Sequence, residues 1–106
     1  MQSVELLDFV IDKIDDMKGR DVVKLDVQKK STITDYMVIC SGNSKKHVQS
    51  IGANVAIEAK NNGNPPIGVE GKESGEWVLV DLGPVIVHVM QESTRDFYQL
   101  EKLWTE

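Results

Sequence analysis

The sequence predicts an α/β (α+β) fold: one domain over residues 1–106, a mixed five-stranded sheet with flanking helices, in the order α-β-β-α-β-β-β-α. Three observations carry this. Apolar residues recur at helical spacing near the start and middle of the chain, five short runs alternate or are continuously apolar as strands do, and turn residues punctuate them. A strand-helix-strand crossover falls in the middle and should be right-handed.

The first helix is "SVELLDFVIDKIDDMKG", where Val4, Leu7, Val10, Ile11, Ile14 and Met17 fall on an inward stripe and Glu5, Asp8, Asp12, Asp15 and Asp16 mostly elsewhere. Gly19 is expected to end it as a left-handed cap. "DVVKLDV" alternates, with Val23, Leu25 and Val27 on one face and Lys24 and Asp26 on the other, so it reads as a half-buried strand. After the polar loop "QKKSTIT", the strand "DYMVICSG" is more apolar and therefore expected nearer the sheet's interior.

"NSKKHVQSIGANVAIEAKNNG" reads as the second helix, with Ser44 as N-cap, Val48, Ile51 and Val55 facing inward, and Asn62-Gly63 as the stop. Gly52 within it costs up to about 1 kcal/mol relative to alanine, which implies a close approach to the sheet. "PIGVEG" is a short third strand, and "EWVLVDL" with "VIVHVM" forms a hairpin about Gly83-Pro84. The chain closes on a helix, "STRDFYQLEKLW", capped by Ser93, with Phe97, Leu100 and Trp104 on one side.

A two-residue turn at Gly83-Pro84 sets Leu82 opposite Val85, Val80 opposite Val87 and Val78 opposite Val89, which makes that face core. The same register gathers Trp77, Leu79, Asp81, Ile86, His88 and Met90 on the other face. Apolar surface interrupted by an acid and an imidazole suits a contact surface. It equally suits a face covered by a helix, with Asp81 and His88 satisfying each other or the backbone.

Composition narrows the function classes. Apolar residues at 41% and charged residues at 27% are ordinary for globular domains, which argues against disorder, and no apolar run approaches the length of a membrane span. No secretory signal pattern follows Met1, so the expectation is cytoplasmic, with no membrane partner. Cys40 is the lone cysteine and reads as a small core side chain. With 17 acidic against 12 basic residues and a formal charge of −5, long-range attraction favours a basic protein over a nucleic-acid backbone.

Enzymatic signals are weak. "CSGNSKKH" runs from a strand end into a helix N-terminus but lacks phosphate-loop and dinucleotide spacing, so Ser44 as a cap and Lys45-Lys46 as solvated charges account for it. No strand carries the i, i+2 carboxylate pair that would clamp magnesium for nucleotidyl transfer. His47 and His88 have no nucleophile elbow and no zinc spacing with Cys40, so both read as structural or rim residues. No cofactor, metal or catalytic residue is expected.

The segments "LLDFVIDKIDDMKGRDVVKLDV", "TDYMVICSGNSKKHVQSI", "GVEG…EWVLVDLGPVIVHVM" and "FYQLEKLW", in this order over nearly the whole chain, resemble the ribosomal silencing factor family, also called Iojap-like. The resemblance implies a fold similar to a nucleotidyltransferase core without catalytic carboxylates. It implies a non-enzymatic repressor that binds ribosomal protein fourteen of the large ribosomal subunit, blocks joining of the small subunit, and lowers translation when nutrients are short. It also leaves room for a homodimer off the ribosome and a minor ribosomal RNA contact through Lys45 and Lys46. Placed on these residues, the docking surface has Trp77 and Met90 as apolar anchors with Leu82 beside them. Tyr98 adds area from the last helix, and Asp81, Glu92 and His88 meet basic groups. A nucleotide-handling enzyme and a self-associating adaptor are the competing classes.

Overall fold

The computed structural model describes residues 1–104. Its elements are α1 (Ser3–Asp16), β1 (Arg20–Asp26), β2 (Tyr36–Gly42), α2 (Lys45–Asn61), β3 (Gly68–Glu70), β4 (Trp77–Asp81), β5 (Val85–Gln91), α3 (Glu92–Tyr98) and α4 (Leu100–Trp104). The strands form one sheet in the order β1-β2-β5-β4-β3, with β2 and β5 parallel and the other neighbouring pairs antiparallel. The mixed five-stranded sheet is therefore the predicted one, and β2 lies in its interior between β1 and β5.

One face of this sheet is core in the ordinary sense. Leu6, Leu7, Val10 and Ile14 of α1 and Val48, Ile51, Val55 and Ala59 of α2 pack on Val38, Cys40, Val78, Val80, Val85, Val87 and Val89, all buried. Val4, expected on the inward stripe of α1, is 55% exposed, because Leu6 and Leu7 centre the buried arc and leave Val4 on its flank. Burial pushes the Cys40 thiol up to about 12, so it stays protonated and acts as a small apolar side chain.

The end of α1 corrects a sequence expectation. Lys18, not Gly19, takes the left-handed conformation, at φ 60°. Lys18 N–H then donates to Asp15 O at 2.9 Å and Gly19 N–H to Ile14 O at 3.0 Å, the paired closure of a Schellman motif. Glycine is needed at 19 for space, since a Cβ there would stand 2.3 Å from Ile14 Cγ2. Ser44 caps α2 as predicted, its Oγ accepting from His47 N–H at 3.0 Å. His47 joins the two helices: Nδ1 accepts from Asn43 N–H at 2.9 Å while Nε2–H donates to Met17 O at 2.7 Å.

Gly52 lies where α2 crosses β4, and a Cβ would stand 2.7 Å from Val78 Cγ1. Val78 is fully buried and stiff about χ1, so it cannot swing aside. Gly52→Ala should therefore destabilise the protein by about 1 to 2 kcal/mol even after its gain in helix propensity. Denaturant unfolding checks this, and a stabilised variant would mean that the helix and sheet separate freely.

The last helix also departs from expectation. β5 pairs through Gln91, and α3 begins at the next residue, so Ser93 is inside the helix and does not cap it. At Gln99 the backbone turns left-handed (φ 48°, ψ 49°), with its N–H donating to Arg95 O at 2.8 Å, and α4 starts in a new direction. That break separates residues expected to share one side. Leu100 and Trp104 pack on the sheet's second face, against Val27, Met37, Ile39 and Met90, whereas Phe97 is 79% exposed. Arg95 bridges the break: Nε donates to Glu101 Oε2 at 3.0 Å, Nη2 stands 3.0 Å from the same oxygen as an ion pair, and Nη1 donates to Ser41 Oγ at 2.8 Å.

Candidate functional site

The second sheet face holds the candidate surface, because strand alternation sends alternate residues of β4 and β5 there. The observed register pairs Trp77 with Met90, Leu79 with His88 and Asp81 with Ile86, while Val78 pairs with Val89 and Val80 with Val87 on the core side. Leu82 N–H donates to Val85 O at 3.0 Å, which closes the hairpin as the Gly83-Pro84 turn requires. The two residue sets predicted from the turn are thus the two faces.

Both open readings of the second face hold in part, each over a different area. α4 covers it on the β1-β2-β5 side through Leu100 and Trp104. Toward β4, Trp77, Leu79, Asp81 and Ile86 keep partial exposure, and Tyr98 is 54% exposed at the end of α3. Four rings line up along this boundary. Phe97 meets Tyr98 edge-on at 5.0 Å between centroids, Tyr98 tilts against Trp77 at 5.1 Å, and Trp77 tilts against His88 at 5.8 Å. Such tilted pairs add about 0.5 to 1.5 kcal/mol each beyond burial, so the aromatic ridge is held in place while its outer edge faces water.

Several expected site residues take other roles. Met90 is fully buried beneath the ridge, so it supports Trp77 and presents no anchor of its own. Leu82 points to the opposite face and belongs to the helix-covered core. His88 is 95% buried and cannot reach a basic group outside. Asp81 and His88 do not satisfy each other: Asp81 Oδ1 accepts from Gly83 N–H at 2.9 Å, and His88 Nδ1 accepts from the Trp77 indole N–H at 2.9 Å. Glu92 lies at the far end of β5 from Asp81, about 20 Å along the strand. Its carboxylate pairs with Arg20 at 3.8 Å, on the rim of a polar cleft of about 410 Å³ lined by Asp21, Ser41, Glu92, Arg95, Asp96 and Glu101.

What remains on one accessible surface is Trp77, Tyr98 and, at its turn end, Asp81. Phe97 joins them, although helical periodicity had turned it inward; no signal in the sequence marks the break that turns it out. Among the described residues, no group of three or more His, Cys, Asp and Glu side chains could hold a metal ion, and no helix is long and apolar enough to cross a membrane.

His88 carries the largest electrostatic penalty on this face. Burial pushes its pKa down from 6.5 to about 4, so it is neutral at physiological pH. Trp77 can only donate, so His88 Nδ1 must be bare and its hydrogen must sit on Nε2. Nε2 is buried with no hydrogen-bond partner among the described residues, an omission that costs about 1 to 3 kcal/mol. A depressed folded pKa means that the unfolded chain takes up a proton the native protein refuses. The contribution of His88 to stability is therefore whole above about pH 6.5 and is lost as pH falls from there to about 4, a loss of about 3 kcal/mol. His88→Asn should remove that part of the pH dependence. Unfolding titrations of both proteins from pH 7 to 4 check it, and parallel curves would contradict it.

The chain is similar to known proteins over most of its length. A family model described as "Ribosomal silencing factor during starvation" matches residues 1–106. "Ribosomal silencing factor RsfS" of Haemophilus influenzae is 46% identical over 99 residues, covering 93% of this chain and 97% of that protein. A mouse protein, "Mitochondrial assembly of ribosomal large subunit protein 1", is 32% identical over 102 residues, which span 93% of this chain and 45% of the mouse protein. A crystal structure of a protein from Chromobacterium violaceum superposes with a TM-score of 0.96 at 39% identity, covering 98% of this chain and 87% of that one.

Proposed function

The chain belongs to the ribosomal silencing factor family, and from that premise we propose that it docks through the Trp77–Tyr98 ridge on ribosomal protein fourteen of the large ribosomal subunit. Bound there, it blocks joining of the small subunit and represses translation under nutrient limitation, in the cytoplasm. The observation that carries this reading is the aromatic ridge on the part of the second sheet face that α4 leaves uncovered. Tyr98 and Phe97 are exposed beside a half-buried Trp77, with an acid at the margin, and aromatic anchors in that setting dominate protein interfaces. The formal charge of −5 favours encounter with a basic ribosomal protein. The name of the mouse relative supports the large subunit over the small.

Size is sufficient for exclusion. An ordinary interface buries about 800 Å² per partner, a modest share of this protein's 6005 Å² surface. The bound body, with extents of 34 × 32 × 21 Å, would hold apart two surfaces that must otherwise touch. No chemistry is required. Lys45 and Lys46, exposed at the start of α2, would supply any contact to ribosomal RNA, and the same ridge would serve a homodimer off the ribosome.

The test is sedimentation of the purified protein with large subunits, small subunits and joined ribosomes. It should travel with free large subunits, and adding it before the small subunits should reduce the joined fraction. Co-sedimentation with small subunits alone, or unchanged joining at saturating protein, would refute the reading. Metal-dependent nucleotide transfer by the pure protein would replace it with an enzymatic one.

A further inference from the structure

We propose that His88 is a positioning residue for the docking ridge, an internal hydrogen-bond acceptor that holds the Trp77 indole in the orientation the partner meets. This rests on the reading of the ridge as the docking surface and adds to it a residue that touches no partner.

The argument begins with what an imidazole does at this position. His88 sits inside the sheet between Ile39 on β2 and Leu79 on β4, where the neighbouring face is apolar. A leucine or phenylalanine would fill such a site without leaving a polar atom stranded. The imidazole leaves Nε2–H buried without a partner among the described residues, so for stability alone it is a poor choice. In exchange it places Nδ1 2.9 Å from Trp77 Nε1. Trp77 is only partly buried, and without that acceptor its indole N–H could turn to water, because an exposed ring edge has solvent to bond. The ring would then sample several orientations. Its tilted contact with Tyr98 at 5.1 Å depends on one of them. A side chain that breaks a local stability rule beside a candidate binding surface has the pattern expected of a functional constraint. Holding an anchor before binding raises affinity by removing the ordering cost from the association step.

This separates a positioning role from a structural one. If His88 served packing, His88→Leu would lower stability, and affinity would follow only through unfolding. As a positioning residue, it allows His88→Leu to keep or gain stability while affinity for large subunits falls about tenfold, the equivalent of one hydrogen bond. His88→Asn places an amide oxygen near the Nδ1 position and should restore most of the affinity.

The measurements are sedimentation affinity for large subunits, unfolding midpoint, and nuclear magnetic resonance of the Trp77 indole N–H. In the parent, that hydrogen should exchange slowly with solvent and His88 Nδ1 should be unprotonated. In His88→Leu, exchange should be fast, and in His88→Asn slow again. A protonated Nδ1 or a rapidly exchanging Trp77 indole in the parent would overturn the proposal without any variant having to fold. So would His88→Leu binding as tightly as the parent while Trp77→Ala binds weakly, and in that case the docking surface would stand. If both variants bind like the parent, the ridge is not the docking surface and the positioning role falls with it.

Discussion

Trp77→Ala is expected to weaken binding to the large ribosomal subunit by about 100-fold. Trp77 is the one side chain of the ridge that is both rooted and presented: its ring packs on the cluster of Val27, Met37, Ile39 and Met90 while its edge meets Tyr98 and solvent. Truncating a buried-edge aromatic of this kind costs about 3 kcal/mol, and each 1.4 kcal/mol is tenfold. The variant will also lose packing energy, so binding must be measured where circular dichroism shows it folded. Tyr98→Ala is the cleaner companion. Tyr98 is 54% exposed and its removal opens no buried cavity, so affinity should fall about tenfold, with a stability loss confined to its two ring contacts and smaller than that of Trp77→Ala. Parent-like binding by a folded Trp77→Ala would place the docking surface elsewhere on the molecule.

Arg95→Ala should produce the largest stability loss of any single polar substitution considered, about 3 kcal/mol. The guanidinium is 90% buried and makes two hydrogen bonds, one to Glu101 across the break between α3 and α4, where it also forms an ion pair, and one to Ser41 on β2. Removing one partner of a buried, hydrogen-bonded ion pair leaves the other with its desolvation cost uncompensated. In a domain of this length the thermal midpoint should drop by more than 10 °C. The Arg95→Ala and Glu101→Ala effects should be strongly non-additive, because both delete the same pair. Additive effects of under 1 kcal/mol each would show the pair to be a solvated surface contact. Since the clasp holds α3 in place, a partly destabilised variant should also lose affinity through displacement of Tyr98.

Most of the scaffold could be read from local pattern. The hairpin register followed from Gly83-Pro84 and a two-residue alternation, and every pair from Trp77–Met90 to Asp81–Ile86 stands as that rule requires. Ser44, Gly52 and the stripe of Val48, Ile51 and Val55 were equally legible, because capping, close approach and helical period are all set within a few residues. The left-handed residue at the end of α1 was misassigned because Lys18 carries that strain while Gly19 answers a clash with Ile14.

The candidate surface was only half legible, for a physical reason. Alternation says which residues share a sheet face, and the sequence by itself determined that Trp77, Asp81, His88 and Met90 would lie together. Whether each is reachable depends on what else lands there. The turn at Gln99 is fixed by Arg95 reaching Glu101 and Ser41, the latter 54 residues away in the chain, and no periodicity encodes such a contact. That turn swings α4 over one half of the face, supports Met90, and leaves Phe97 and Tyr98 outside. Burial of His88 and its bond to Trp77 follow from the same packing. Faces are a property of backbone geometry, repeated every two or 3.6 residues; exposure is a property of distant segments meeting, and only the tertiary structure decided it.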